Sequence, residues 1–121
     1  MTAPTNHMGI LMVTYRHRPR ALCTRRRVFL LDTPDCGTPD LPFVLAMCVY
    51  AGAILNRRLP GPYLEADARA FARSSLIPSE ITERGPNAWD LGELSRWLGV
   101  PERELLAQRR RGCESRARRA P

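Results

Sequence analysis

The longest apolar stretch of the sequence constrains the fold more than any other feature. It covers residues 40–55, and it contains no charged residue from position 43 onward. Thr38 and Pro39 precede it, a good N-cap and first-turn pair for a helix. A helix that is apolar on every side is normally buried. The stretch therefore predicts a central helix around which one small domain is built.

Length and sequence pattern predict a single domain. The chain has 121 residues, enough for one modest core and too few for two. Residues 1–8 and 112–121 lack hydrophobic periodicity. We therefore expect a flexible N-terminus and a basic disordered tail on either side of a domain at 9–111. The apolar stretch is too short to span a bilayer, and no signal-peptide pattern is present, so the sequence predicts a cytoplasmic protein without a membrane partner.

The cysteines favour reduced thiols over a zinc site or disulfides. They are widely scattered, and no two of them form a Cys-x-x-Cys pair. Finger-like ligand spacing is absent from the cysteines and from the two histidines. We expect no metal or other cofactor. The four cysteines are Cys23, Cys36, Cys48 and Cys113.

Two segments ahead of the central stretch predict a β-hairpin. Residues 9–15 and 27–32 are rich in β-branched and large apolar side chains. Residues 16–20, Arg-His-Arg-Pro-Arg, are expected to break the first strand. The arginines at 25–27 would lie at the edge of the hairpin, where charge blocks unwanted strand pairing.

Helical periodicity follows the central stretch. One helical face carries Leu64, Ala68, Phe71, Ala72 and Leu76. Pro78 ends that segment. The whole pattern predicts an α+β fold, with a small β-hairpin or sheet packed on a buried central helix. Three or four helices follow, including a helix-turn-helix-like pair.

The helix pair near the C-terminus has clear boundary signals. Asp90 is an N-cap candidate with Glu93 three residues later, as in a capping box. Gly99 is the expected C-cap, and Pro101 begins the last helix. The expected inward-facing residues are Leu91, Leu94 and Leu98, and the last helix carries Leu105 and Leu106.

Basic charge and the helix pair together raise a nucleic-acid hypothesis. The net charge is +7, and all of the positive charge comes from arginine. Such charge attracts nucleic acid, acidic proteins or other anionic surfaces. In a DNA-binding protein the second helix of the pair would lie in the major groove. Glu102 and Glu104 on that helix would repel the phosphates. A helix pair of this kind can also serve only to close a small hydrophobic core. The candidate nucleic-acid-binding residues are Arg103, Gln108, Arg109, Arg110 and Arg111.

The segment Glu65-Ala-Asp-Ala-Arg-Ala-Phe-Ala72, followed by Ile77-Pro78, resembles the ImmA/IrrE family of small zinc-peptidase-like proteins. That family has a pattern close to Glu-x-(Glu/Asp)-Ala-x-x-Phe-Ala and then an apolar-Pro pair. The order of elements is also similar, with a strand ending in Leu31-Asp32, an active-site helix, and a helical pair after the motif. The resemblance covers about residues 20–110.

The sequence departs from that family at the catalytic motif. The resemblance implies His-Glu-x-x-His on the central helix, where two imidazoles hold zinc and the Glu activates water. Aligning Leu45-Ala46 with the family's apolar-Ala pair puts Met47 and Ala51 at the histidine positions and Cys48 at the base position. Glu65 matches the third, acidic ligand and cannot hold zinc alone.

The departure implies that no catalytic residue remains at the motif. Met47, Cys48 and Ala51 are expected to pack as core, which recovers about 1–3 kcal/mol per large buried side chain. Cys48 as a nucleophile would need a neighbouring base and an electropositive setting. Glu65 is expected to pair with Arg57 or Arg58, or to be exposed.

The sequence therefore favours a non-enzymatic regulatory or adaptor protein that binds another protein. The family resemblance implies a setting in transcriptional regulation, a mobile element or a phage. A homo-oligomer is compatible with this interpretation. The alternative is a DNA-binding protein that uses residues 90–111 and the arginine-rich tail, and an active zinc or cysteine hydrolase is the third hypothesis.

Overall fold

The fold is a three-stranded antiparallel sheet packed against helices, as described by a computed structural model for residues 9–31, 40–80 and 90–108. The strands are β1 (Leu11–Tyr15), β2 (Arg18–Cys23) and β3 (Val28–Leu30). The helices are α1 (Leu41–Leu55), α2 (Glu65–Leu76), α3 (Leu91–Leu98) and α4 at 102–108. This arrangement confirms the predicted α+β class. The predicted terminal segments at 1–8 and 112–121 lie outside the described residues, as do Thr38 and Pro39.

The sheet has one strand more than the sequence analysis predicts. Only Arg16 and His17 form the break, as a tight turn between β1 and β2, and Arg18 already begins β2. The prediction that residues 16–20 interrupt the sheet is wrong for its second half. Pro19 argues against a strand in sequence, but here it lies opposite Thr14, next to an irregularity in the pairing where a missing N–H is tolerated.

That irregularity is a β-bulge centred on Arg20. Val13 pairs with Ala21, and Thr14 pairs with Pro19, so Arg20 is the extra residue on β2. Bulges bend a strand and redirect the extra side chain. The Arg20 side chain donates two hydrogen bonds to the carboxylate of Asp40, at 2.9 and 3.0 Å, just before α1. Asp40 is the N-cap residue of α1 but makes no side-chain cap, because its carboxylate binds Arg20 instead.

Helix α1 is central but is not buried on every side. The sheet and α2 pack against it and cover seven of its side chains, including Phe43, Met47 and Ala51. Leu45 and Val49 remain 40% and 62% exposed. The expectation of burial all around is therefore wrong, because no described element covers this stripe. In the part of the chain that the structure describes, no helix has the length and apolarity to cross a membrane.

The pair α3–α4 follows the predicted boundary signals. The Asp90 side chain accepts a hydrogen bond from the backbone of Glu93 at 3.1 Å, which is an N-cap. Gly99 ends α3 with a φ of 70°, and a side chain there would overlap the ring of Pro42. The carbonyl of Gly99 also accepts a hydrogen bond from the backbone N–H of Phe43, so the turn is fixed to the start of α1.

The inward-facing residues of the pair are mostly as predicted. Leu94 and Leu105 are buried, and Leu91 and Leu98 are half-buried. Leu106 is 37% exposed. Glu104 and Leu105 are the buried residues in the described part of α4.

Candidate functional site

The helix positions that match the family's zinc motif lie in the apolar core. Met47 and Ala51 are fully buried, and Cys48 is 2% exposed. They belong to the single cluster of buried side chains that joins α1 to the sheet and α2. Among the described residues there is no group of three or more His, Cys, Asp or Glu side chains that could hold a metal ion. The geometry at these positions is that of ordinary core packing.

The Cys48 thiol lies beside the thiol of Cys23 on β2, and both cysteines are free and buried. The hydrogen bond with Cys23 and the burial of the site raise the pKa of Cys48 above its ordinary value. A nucleophilic cysteine needs the opposite shift, toward the thiolate. The environment of Cys48 therefore does not support thiol catalysis.

Glu65 lies at the first residue of α2 and is half-buried. Its carboxylate accepts a hydrogen bond from the Thr14 hydroxyl at 3.0 Å. The expectation that Glu65 pairs with Arg57 or Arg58 is wrong. The start of α2 packs beside β1, whereas those two arginines are exposed just after the end of α1.

Tyr63 is the neighbouring residue that the motif analysis does not consider. It is 1% exposed, and its hydroxyl has no hydrogen-bond partner among the described residues. Burial, and then the nearby Cys48 and Glu65, raise the pKa of Tyr63 above its ordinary value. The hydroxyl is an unsatisfied polar group in otherwise apolar packing.

A buried polar cluster lies beneath helix α4, away from the apolar residues described above. Glu104 is completely buried and accepts hydrogen bonds from Tyr15 at 2.8 Å, Arg69 at 3.0 Å and Arg73 at 2.6 Å. The Arg69 guanidinium also lies 5.9 Å from the centre of the Tyr15 ring. Burial, and then the hydrogen bond to Glu104, raise the pKa of Tyr15. We call these four residues the Glu104 cluster.

The Glu104 cluster connects three elements that are distant in sequence. Tyr15 ends β1, Arg69 and Arg73 lie one turn apart on α2, and Glu104 lies on α4. Burying a carboxylate is costly unless charge and hydrogen bonds compensate it. The two guanidiniums and the phenol supply that compensation. The expectation that Glu104 would face a ligand and repel phosphate is wrong, because its carboxylate points into the protein.

An open cleft of about 710 Å³ lies next to this cluster, and we call it the arginine cleft. Its volume is within the range of small-ligand sites. Two carboxylates face five guanidiniums, so positive charge is in excess. The lining residues are Tyr15, Arg16, His17, Arg18, Arg20, Asp40, Glu65, Arg69 and Arg103.

Backbone features of β1 and β2 direct arginines toward this cleft. Arg16 and His17 have φ angles of 54° and 68°, the left-handed region that residues with a Cβ seldom occupy. They are the two central residues of the turn that closes the β1–β2 hairpin, where a left-handed backbone at both positions matches the twist of the strands. Together with the bulge at Arg20, the turn puts its basic side chains on the cleft wall.

The predicted nucleic-acid-binding residues are only partly brought together. Arg103 is exposed and lines the arginine cleft, and Gln108 is half-buried near the end of the described part of α4. Arg109, Arg110 and Arg111 lie outside the described residues. The sequence analysis missed Arg16, Arg18, Arg20 and Arg69 as partners of Arg103, because they come from separate elements and share no motif.

A second surface lies at the edge of the sheet. Strand β3 is the last strand in the order β1-β2-β3, and its residues Val28, Phe29 and Leu30 are 45%, 49% and 44% exposed. Adjacent strand residues point to opposite faces, so neither face of β3 is covered by a described element. Exposed arginines at 25–27 precede the strand.

The turn before β3 is well ordered by hydrogen bonds. Thr24 accepts hydrogen bonds on its hydroxyl from the backbone N–H groups of Arg26 and Arg27. Asn56, just after α1, donates to the carbonyl of Arg25 at 3.0 Å. These contacts fix the turn to the end of the central helix, and they hold β3 in an extended, accessible position.

Comparison with known proteins gives no relative: no protein-family model, no curated protein and no solved structure matches this chain.

Proposed function

We propose that this chain is a non-enzymatic regulatory or adaptor protein that binds another protein in the cytoplasm. The observation that carries the proposal is the burial of Met47, Cys48 and Ala51. At these positions a zinc peptidase of the resembled family would present two imidazoles and a carboxylate to a cleft. The apolar core occupies this space instead, and Glu65 alone remains at its edge.

The exposed strand β3 is the surface that best supports protein binding. Three consecutive apolar residues exposed in a small protein indicate an interaction site or an aggregation liability. A terminal strand also offers backbone N–H and C=O groups, which an extended segment of a partner pairs with as an added strand. We take an added strand as the mode of binding.

Charge defines the chemistry of the partner. The arginines at 25–27 would lie opposite each other and repel if β3 paired in parallel with β3 of a second copy. An extended partner segment with apolar residues and flanking Asp or Glu complements both features. The proposed partner is therefore an acidic, strand-forming segment of a different protein. Transcriptional regulation, in a mobile element or phage, is the setting that the ImmA/IrrE resemblance implies, and it belongs to the proposal.

Metal analysis of the purified chain tests the non-enzymatic part. After expression in medium containing zinc, we expect far less than one zinc ion per chain, because a tight site needs three or four ligands. The matched variant Glu65→Gln should have the same zinc content. Stoichiometric zinc that is lost in Glu65→Gln would overturn the proposal.

Partner capture tests the protein-binding part. The native chain and Phe29→Lys are each immobilised and exposed to lysate, and any protein captured only by the native chain is purified for a direct binding measurement. The control variant is Val49→Lys, which places the same charge on exposed α1. The proposal requires a purified partner that loses at least about tenfold in affinity for Phe29→Lys and is unaffected by Val49→Lys. If the native chain self-associates and Phe29→Lys abolishes that association, the partner at β3 is a second copy of this chain and not a different protein.

DNA binding is a second candidate, favoured by one observation. Helices α3 and α4 meet at the left-handed Gly99, and Arg103 on the second helix is exposed. A salt titration with duplex DNA tests it, because phosphate contacts give a steep dependence of affinity on salt. Binding that falls in Arg103→Gln but not in Arg96→Gln, on α3, would support this candidate. No binding at low salt would eliminate it.

A further inference from the structure

We infer that the arginine cleft is a binding site for a phosphate monoester. The site is independent of the proposed docking surface at β3, and its ligand is a compact phosphate group on a small molecule or on a modified side chain. The argument rests on which guanidinium donors are already used, on the charge of the lining and on the shape of the cleft.

Several donors in the cleft are not engaged in the fold. Arg16 and Arg103 make no ion pair with a described residue. Arg69 contacts Glu104 through Nε and Nη2, whereas its Nη1 donates to no described residue, and the side chain is 34% exposed. Three guanidiniums, from the β1–β2 turn, α2 and α4, thus offer N–H groups to the same cleft.

Two of the wall residues are held in place before any ligand arrives. The Glu104 cluster fixes Arg69, and Asp40 fixes Arg20 through two hydrogen bonds. A fixed guanidinium loses less side-chain entropy on binding than a free one, which improves affinity.

The charge pattern selects the ligand class. A phosphate monoester carries between one and two negative charges and three acceptor oxygens, and planar guanidiniums match that geometry. A single carboxylate would leave more of the excess positive charge of the cleft unbalanced. A continuous polyanion such as DNA would also meet Asp40 and Glu65, which lie in the same lining. A compact, highly charged group therefore fits best.

The test is calorimetric titration of the full chain at low salt. The probes are inorganic phosphate, a nucleoside monophosphate and a phosphoserine peptide, with glutarate and the unphosphorylated peptide as controls. We expect the phosphorylated probes to bind with a Kd of about 1 mM or tighter and the controls at least about tenfold more weakly. Among the phosphorylated probes, the tightest binder distinguishes a free small molecule from a modified protein.

Matched variants locate the site. Arg16→Asn with Arg103→Gln removes two cleft charges, and asparagine tolerates the left-handed backbone at position 16. The control pair Arg58→Gln with Arg96→Gln removes two exposed charges that do not line the cleft. Affinity for the phosphorylated probes should fall at least about tenfold in the first pair and less than about twofold in the second. Circular dichroism checks folding, and Arg103→Gln alone replaces the first pair if that pair is unfolded.

Several results would overturn the inference. They are equal binding of glutarate and phosphate, equal losses in the two variant pairs, and no phosphate binding at millimolar concentration. Binding of duplex DNA without binding of any monoester would also overturn it, in favour of a polyanion surface. None of these results depends on whether a protein partner binds β3.

Discussion

Two buried regions of this small protein treat polar side chains in opposite ways. Around Met47, Cys48 and Ala51 the interior is apolar, and the buried Tyr63 hydroxyl has no hydrogen-bond partner among the described residues. Around Glu104 the interior holds a carboxylate that accepts hydrogen bonds from three side chains on two other elements, although the Nε of Arg73 has no partner among the described residues. The difference indicates that buried polar contacts stabilise the walls of the arginine cleft, whereas the buried face of α1 contributes apolar packing.

The largest expected effect comes from neutralising the buried carboxylate. Glu104→Gln leaves the charge of buried Arg73 without its partner, and breaking such a pair costs about 3–5 kcal/mol of unfolding free energy. The matched control is Glu102→Gln, on the exposed side of the same helix, which should change stability by less than about 0.5 kcal/mol. Urea unfolding measures both. Equal unfolding midpoints for the two variants would show that the cluster contributes nothing to the fold.

Truncating the apolar region should cost nearly as much, for a different reason. Met47→Ala removes a fully buried side chain and leaves a cavity, which costs about 2–5 kcal/mol. Val49→Ala, two residues along α1 and 62% exposed, is the control and should be nearly neutral. Urea unfolding of the two variants compares them. If Met47→Ala were as stable as Val49→Ala, position 47 would not be core, which would contradict the apolar packing of α1.

The two buried tyrosines give a sharper contrast. Tyr15→Phe removes a donor from Glu104, and we expect a loss of about 1–3 kcal/mol. Tyr63→Phe removes a hydroxyl that has no partner, so the unfolding free energy should stay unchanged or increase. Thermal unfolding of both variants at neutral pH makes the comparison. A loss of stability in Tyr63→Phe would reveal a contact for that hydroxyl and weaken the contrast between the regions.

The smallest effect is a change in the alkaline pH dependence. Burial raises the pKa of Tyr15 and Tyr63 above the ordinary value of 10.0. Above that pH the unfolded state loses protons that the folded state keeps. Stability is therefore complete below pH 10 and falls as the pH rises, by up to about 1.4 kcal/mol per pH unit for each tyrosine. Unfolding midpoints between about pH 8 and pH 11 should fall less steeply in Tyr63→Phe than in the native chain. If the unfolding midpoint fell equally steeply with pH in Tyr63→Phe and in the native chain, the Tyr63 hydroxyl would not contribute to the alkaline loss of stability.

Local signals in the sequence predict the local structure well. Asp90 and Gly99 mark the limits of α3, and both do so through short-range geometry that a sequence pattern captures. The apolar stretch correctly predicts α1, and the β-branched and large apolar residues at 9–15 correctly predict β1. The exposed stripe of Leu45 and Val49 is not predictable in the same way, because exposure depends on which faces the other elements cover.

The features of the candidate site depend on long-range contacts, and the sequence gives little sign of them. Glu104 looks like a surface residue because it directly follows two charged residues, Glu102 and Arg103, yet it pairs with residues 31 and 89 positions away. Strand β2 is not predicted from the sequence because Pro19 argues against a strand. The bulge at Arg20, which makes a proline acceptable at this position, is not visible in the sequence. The arginine cleft exists only after four elements have come together.

The contact between Gly99 and Pro42 has a consequence for how this chain can change over evolutionary time. In the turn between α3 and α4, the carbonyl of Gly99 accepts a hydrogen bond from the first turn of α1, and Pro42 leaves no space there for a side chain. The C-terminal helix pair is therefore not an interchangeable unit that recombination could transplant to another protein, or replace with a different pair. Any relative that carries a larger residue at this position must also have altered the start of its central helix, so positions 42 and 99 should vary together.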